Sequence, residues 1–177
     1  MLFGSQSLIA GQGYRDVLEN VALHSLSVVR YEERLVAFYL DEPVISTGEL
    51  RFEPPDKLTK IMLAPELVTQ EITGSEIVVT REGGGKEQFS LSRHPGLEIV
   101  ANTLRSLLAG NVSYFEQNYV VEFLIEKGDW RMLLTPSDKK ISEWIKKIEV
   151  LGVEKRITQF TVTEANGDYT TTTLNEK

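Results

Sequence analysis

The chain has 177 residues, 41% hydrophobic and 25% charged, which suits one water-soluble globular domain with a real core and does not suit a disordered chain. Its formal net charge is −7 and it has no Lys/Arg-rich run, which argues against a nucleic-acid or anionic-membrane surface. With no cysteine, disulfides, thiolate chemistry, Cys-ligated zinc and lipid attachment through an N-terminal cysteine are excluded, and no apolar run approaches the ~20 residues that span a bilayer.

Residues 1–12 are mildly apolar, but Arg15 is the first basic residue, so the positively charged start of an export signal is missing. The spacing of Val17, Val21, Leu23, Leu26 and Val28 predicts a helix over 13–33. An aromatic strand carrying Phe38 is expected over 33–40. Residues 46–53 alternate cleanly, with Leu50 and Phe52 on one face and Glu49, Arg51 and Glu53 on the other. Pro54-Pro55 ends that strand, because neither residue can donate a ladder hydrogen bond.

Strands over 57–65 and 67–73 follow, closed by Pro65 and by Gly74-Ser75. Residues 76–92 form a hairpin around a Glu82-Gly83-Gly84-Gly85-Lys86 turn. Residues 95–111 carry the strongest helical signal. Leu97, Val100, Ala101, Leu104, Leu107 and Leu108 share one face, while Glu98, Asn102, Arg105 and Ser106 point away. Pro95 suits its first turn and Gly110-Asn111 its stop.

A second hairpin spans 119–136 and turns at Lys127-Gly128-Asp129. Strands over 141–152, 154–165 and 168–174 complete the chain, with Asn166-Gly167-Asp168 as a hairpin turn and 139–147 open to a short helix instead. The result is a single α+β domain: a long antiparallel sheet of about ten strands with helices against one face.

No constellation of catalytic residues emerges. His24 and His94 sit in separate elements, so neither a metal nor another cofactor is expected. Gly83-Gly84-Gly85 lacks the Lys-Ser/Thr of a phosphate-binding loop. Glu49, Glu53, Glu122 and Glu126 fall at the polar positions of alternating strands, as a solvated outer face requires. What remains is burial. Leu50, Phe52, Leu58, Met62, Ile77, Val79, Phe89, Leu91, Val121, Phe123, Ile125, Met132 and Leu134 read as one-face positions. A sheet this long coils into a concave apolar face. Either two helices fill that face, or a groove stays open to apolar ligands.

Three stretches bear on that choice: RYEERLVAFYLDEPVISTGELRFEPPDKL, the helix ending in SLLAGN, and WRMLLTPSDKKISEWIKKIEVLGVEKRITQFTVTEANGDYTTTTL. In order and content they resemble the outer-membrane lipoprotein carriers of the LolA/LolB superfamily, in particular a divergent LolA-related branch. The resemblance implies an unclosed, strongly curved half-barrel of about eleven strands lidded by helices, with acyl chains held between. It implies a non-enzymatic periplasmic carrier for the acyl chains of lipoproteins or related lipids, its export signal removed. An inner-membrane donor and an outer-membrane acceptor would be its partners.

Cavity and lid would then be lined by Phe38, Leu50, Phe52, Leu58, Met62, Ile77, Val79, Phe89 and Leu91 from the strands before the helix. Leu97, Val100, Leu104, Leu107 and Leu108 would come from the helix, and Val121, Phe123, Met132 and Leu134 from the strands after it. One departure matters: Pro54 stands where the better-known carrier has an Arg that holds its lid shut, so ATP-driven loading is not implied. A similar half-barrel in the regulator RseB gives the alternative, a regulatory lipid- or protein-binding module.

Overall fold

The computed structural model describes residues 6–24 and 28–175, with side chains described for 13–22 and 28–175. Helix α1 (Gln6–His24) leads into β1 (Val29–Val36), β2 (Val44–Glu53), β3 (Lys57–Ala64), β4 (Val68–Thr73), β5 (Glu76–Arg81) and β6 (Lys86–Ser90). A 3-10 turn (Leu91–Arg93) opens α2 (Pro95–Leu108), and α3 (Val112–Asn118) follows. The chain continues through β7 (Tyr119–Glu126), β8 (Asp129–Pro136), α4 (Lys139–Ser142), β9 (Ile145–Val153), β10 (Arg156–Glu164) and β11 (Tyr169–Asn175). Among the described residues no helix is long and apolar enough to cross a membrane.

The eleven strands form one antiparallel sheet in the order β6-β5-β4-β3-β2-β1-β11-β10-β9-β8-β7. Neighbours in space are neighbours in sequence except at the centre, where β1 pairs with β11. Strands β6 and β7 are consecutive in the chain yet lie at opposite edges, so the half-barrel stays unclosed. The chain must therefore cross the full width of the sheet between them. Helices α2 and α3 make that crossing, which is why the most amphipathic segment lies over the concave face.

Local sequence explains how α2 ends. Gly110 adopts φ +66°, its N–H meets the Leu107 carbonyl, and the Asn111 N–H meets that of Ser106, a Schellman stop. Asn111 then caps α3 by accepting a hydrogen bond from the Tyr114 N–H. Sequence periodicity assigned Asn111 only as a stop, and the second helix was not foreseen. Ser106, expected to point away, is buried, as is Thr103. The reason is that α2 packs against α1 and α3 as well as the sheet, so more than one side of it is covered.

The N-terminal third departs from expectation. The helix expected over 13–33 ends at His24 and the strand begins at Val29 rather than near residue 33. Tyr31 is buried between exposed Arg30 and Glu32, a period of two that hydrogen bonding to both β2 and β11 enforces. Helix α1 also starts before Gly13, at Gln6, within the segment expected to be a signal remnant or flexible; residues 1–5, Leu26 and the side chains of Leu23 and His24 lie outside what is described. Further on, both readings of 139–147 are realised in part: α4 takes Lys139–Ser142 and β9 starts at Ile145.

Two clusters form the core. One joins α1–α4 and β7–β10 through Leu18, Leu107, Phe115, Trp130, Leu134 and Ile148. The other joins β1–β5 and the 3-10 turn through Tyr31, Leu50, Phe52, Leu58, Ile77 and Leu91. Two glycines allow the curvature. A Cβ at Gly48 would fall 1.9 Å from the Ile61 carbonyl oxygen, beside a register shift between β2 and β3. One at Gly152 would lie 2.1 Å from the Trp130 ring.

Candidate functional site

The two clusters do not meet everywhere. Between them, under α2, lies a cavity of about 220 Å³. Its roof is Leu97, Val100, Ala101 and Leu104. One wall is Leu50, Leu58 and Ile72 from β2–β4, and the other is Phe160, Val162 and Leu174 from β10 and β11. Leu104 packs against both clusters and so closes the gap from above.

The floor is polar. Tyr31 and Glu33 on β1, Lys60 on β3, Gln70 on β4, Glu164 on β10 and Thr170 and Thr172 on β11 also line the cavity. The Lys60 ammonium donates to both Glu33 oxygens at 2.7 and 2.8 Å, and the Thr172 hydroxyl donates to Glu33 Oε2 at 2.9 Å. Lys60 Nζ also sits 5.0 Å above the centre of the Tyr31 ring. Tyr31 pairs in register with Gly48.

The Tyr31 hydroxyl is buried and makes no hydrogen bond of normal geometry, although Ser46 is close enough to interact. Burial, reinforced by the nearby Glu33 carboxylate, pushes its phenol up to about 12. The Tyr119 phenol moves the same way, again chiefly through burial. A phenol that ionises at pH 10 when unfolded and only near 12 when folded contributes stability below pH 10 and loses it as pH rises through 12. Tyr31→Phe is therefore expected to flatten the alkaline loss. Urea midpoints at pH 8 and at pH 11 measure it, and an unchanged difference between wild type and variant would refute the assignment.

Two contacts hold α2 over this cavity. Arg105 Nη1 donates to the Gly74 carbonyl at 2.8 Å and to the Asp56 carbonyl at 3.1 Å, tying the helix to the turns after β2 and β4. The Arg thus lies on the helix and its acceptors on the turns, with Pro54 close to one of them. On the other flank the buried Thr103 hydroxyl donates to the Ile99 carbonyl at 2.8 Å and meets the Tyr119 hydroxyl at 2.7 Å. Past Leu97 and Val100 a second hollow of about 460 Å³, lined also by His94, Trp144 and Glu164, faces solvent. Leu97, 39% exposed, belongs to the partition between the two spaces.

Of the residues expected to line the cavity, Leu50, Leu58, Leu97, Val100 and Leu104 do so. Phe52, Ile77, Val79, Leu91 and Leu108 are packed inside the second cluster, with Met62 and Phe89 against it. Leu107, Phe123, Met132 and Leu134 lie inside the first, with Val121 against it. Phe38 lies elsewhere: β1 ends at Val36, and Phe38 is 84% exposed in the turn beyond, its N–H donating to Asp168 Oδ1 at 3.0 Å. Ile125, assigned to the same inner face, is likewise exposed at the end of β7. The polar floor went unforeseen, yet it had a signal. Glu33, Lys60 and Gln70 each occupy an inward position of an alternating strand, two residues from Tyr31, Leu58 and Ile72.

The profile of the family described as outer membrane lipoprotein carrier protein LolA-like matches residues 13–176. The chain belongs to this LolA-like family. No curated protein matches the chain in sequence. Among solved structures, the LolA-like chain is similar to a LolA superfamily protein from Nitrosomonas europaea, at 11% identity and a TM-score of 0.47, covering 92% of this chain and 91% of that one. A putative outer membrane lipoprotein-sorting protein domain from Vibrio parahaemolyticus gives 11% identity and 0.46, over 94% and 92% of the two chains. The Pseudomonas aeruginosa MucA/MucB complex gives 8% identity and 0.47, over 93% of this chain and 56% of that one.

Proposed function

We propose that this LolA-like chain is a periplasmic carrier that shields the acyl chains of lipoproteins or related lipids on their way towards the outer membrane. The reading rests on the unfilled space beneath α2, roofed and walled by aliphatic and aromatic side chains. Each methylene removed from water there is worth about 0.8 kcal/mol before ordering costs. At about 220 Å³ the cavity, which is partly open to solvent, is smaller than the roughly 300–1,000 Å³ that holds a drug-sized ligand. It takes a short length of one chain. A larger load requires α2 to swing outward, breaking the Arg105 contacts to the Asp56 and Gly74 carbonyls.

The test is mild purification from a Gram-negative periplasm followed by organic extraction and mass spectrometry. Lipid in stoichiometric amount is the expected result. No lipid, together with no uptake of a fluorescent fatty acid, would end the carrier reading. A stable protein partner recovered in place of lipid would favour the RseB-like regulatory module instead.

A further inference from the structure

A trough built only for hydrocarbon has no use for charge at its floor, yet this one carries an ion pair there. Placing charged groups against an apolar cavity is unfavourable unless they are matched, and Glu33 and Lys60 are matched to each other. The matching is incomplete in one direction. An ammonium has three N–H donors, and the two Glu33 oxygens accept at most two along the short contacts. The side chains of Gln70 and Thr170, lining the same space, make no hydrogen bond among the described residues. Glu33 itself already accepts from Lys60 and Thr172. Gln70 and Thr170 can donate or accept. The other carboxylate on the lining, Glu164, is exposed at the end of β10 and shared with the solvent-facing hollow. The inner floor therefore has donors to spare at Lys60 and Gln70, while its own carboxylate, Glu33, is engaged.

We propose that the floor is a polar subsite that receives an acceptor oxygen of the ligand, a carboxylate or an ester carbonyl, while the attached alkyl chain lies beneath α2. Lys60 and Gln70, opposite each other in register on β3 and β4, donate to it. Leu97, Val100 and Leu104 cover the chain. The cargo is then an amphiphile seated with its oxygen pole inside the half-barrel. This rests on the carrier reading and adds which end of the ligand is recognised.

Calorimetric titration with decanoate, methyl decanoate and decyltrimethylammonium tests it, because the three share one chain and differ at the pole. The protein's net charge of −7 favours the cation in general, so a preference for oxygen must come from the site. Decanoate or methyl decanoate is expected to bind roughly tenfold more tightly than the cation, and which of the two wins tells a free acid from an ester. The double variant Lys60→Met/Glu33→Gln, which keeps the floor neutral, is expected to erase that preference. Gln70→Leu, which leaves the ion pair intact, should weaken the oxygen ligand roughly threefold and serves if the double variant does not fold. Equal binding of all three ligands by the wild type would overturn the subsite while leaving the carrier standing. So would a preference that stays at its full wild-type size in both variants. Binding of none would overturn both.

Discussion

Gly48→Ala is expected to lower stability by about 3 kcal/mol or more, at the upper end of what overpacking costs. The added carbon would sit 1.9 Å from the Ile61 carbonyl oxygen, 2.9 Å from its carbon and 3.0 Å from the Met62 Cα. All three are backbone atoms, so no side-chain rotation relieves the contact. The strands must separate at the register shift that bends β2 against β3. In a chain of this size the midpoint should fall by roughly 6–12 °C. Gly85→Ala is the control: nothing lies near its added carbon and its φ is ordinary, so a change within about 0.5 kcal/mol is expected. Thermal melts of the two variants settle it. A Gly48→Ala protein that melts with the wild type would refute the close approach of β2 and β3.

Leu104→Glu should weaken uptake of a fluorescent fatty acid more than tenfold while unfolding stays cooperative. Leu104 is the roof residue that touches both core clusters, but it is only partly buried, so the fold does not depend on it as it does on the fully buried Leu107. A carboxylate there would have to share an apolar space of about 220 Å³ with the hydrocarbon. Leaving a charge unpaired in such surroundings costs several kcal/mol, so the side chain turns outward and the cavity loses its cover. Fluorescence titration reports the binding, and far-UV circular dichroism on heating reports the fold. Unchanged uptake in a folded variant would remove α2 from the site.

Much of the architecture was legible in local pattern. The turns at Gly74, Gly83-Gly84, Gly128 and Gly167 fall where expected, all at positive φ, and strict alternation placed Leu50, Phe52 and Leu58 on the inner face. Phe38 failed because it belongs by composition to a β-rich run but lies past the point where both partner strands stop pairing with β1. A strand's length is decided by its neighbours, not by its own residues. The same competition moved the start of β1: charged residues between apolar ones suit either period, and pairing to β2 and β11 chose two over 3.6.

By itself the sequence determined the class: one domain, an antiparallel sheet with a concave apolar face, and one strongly amphipathic helix to cover it. Those features depend on periodicity and turn chemistry, which act over a few neighbouring residues. Tertiary structure alone decided how much of that face the protein fills. Whether Phe52 is core and Leu50 is wall, and whether Glu33 meets Lys60, depends on two clusters stopping short of each other beneath α2. That gap is a matter of summed volumes across eleven strands and four helices, and no short-range pattern encodes it.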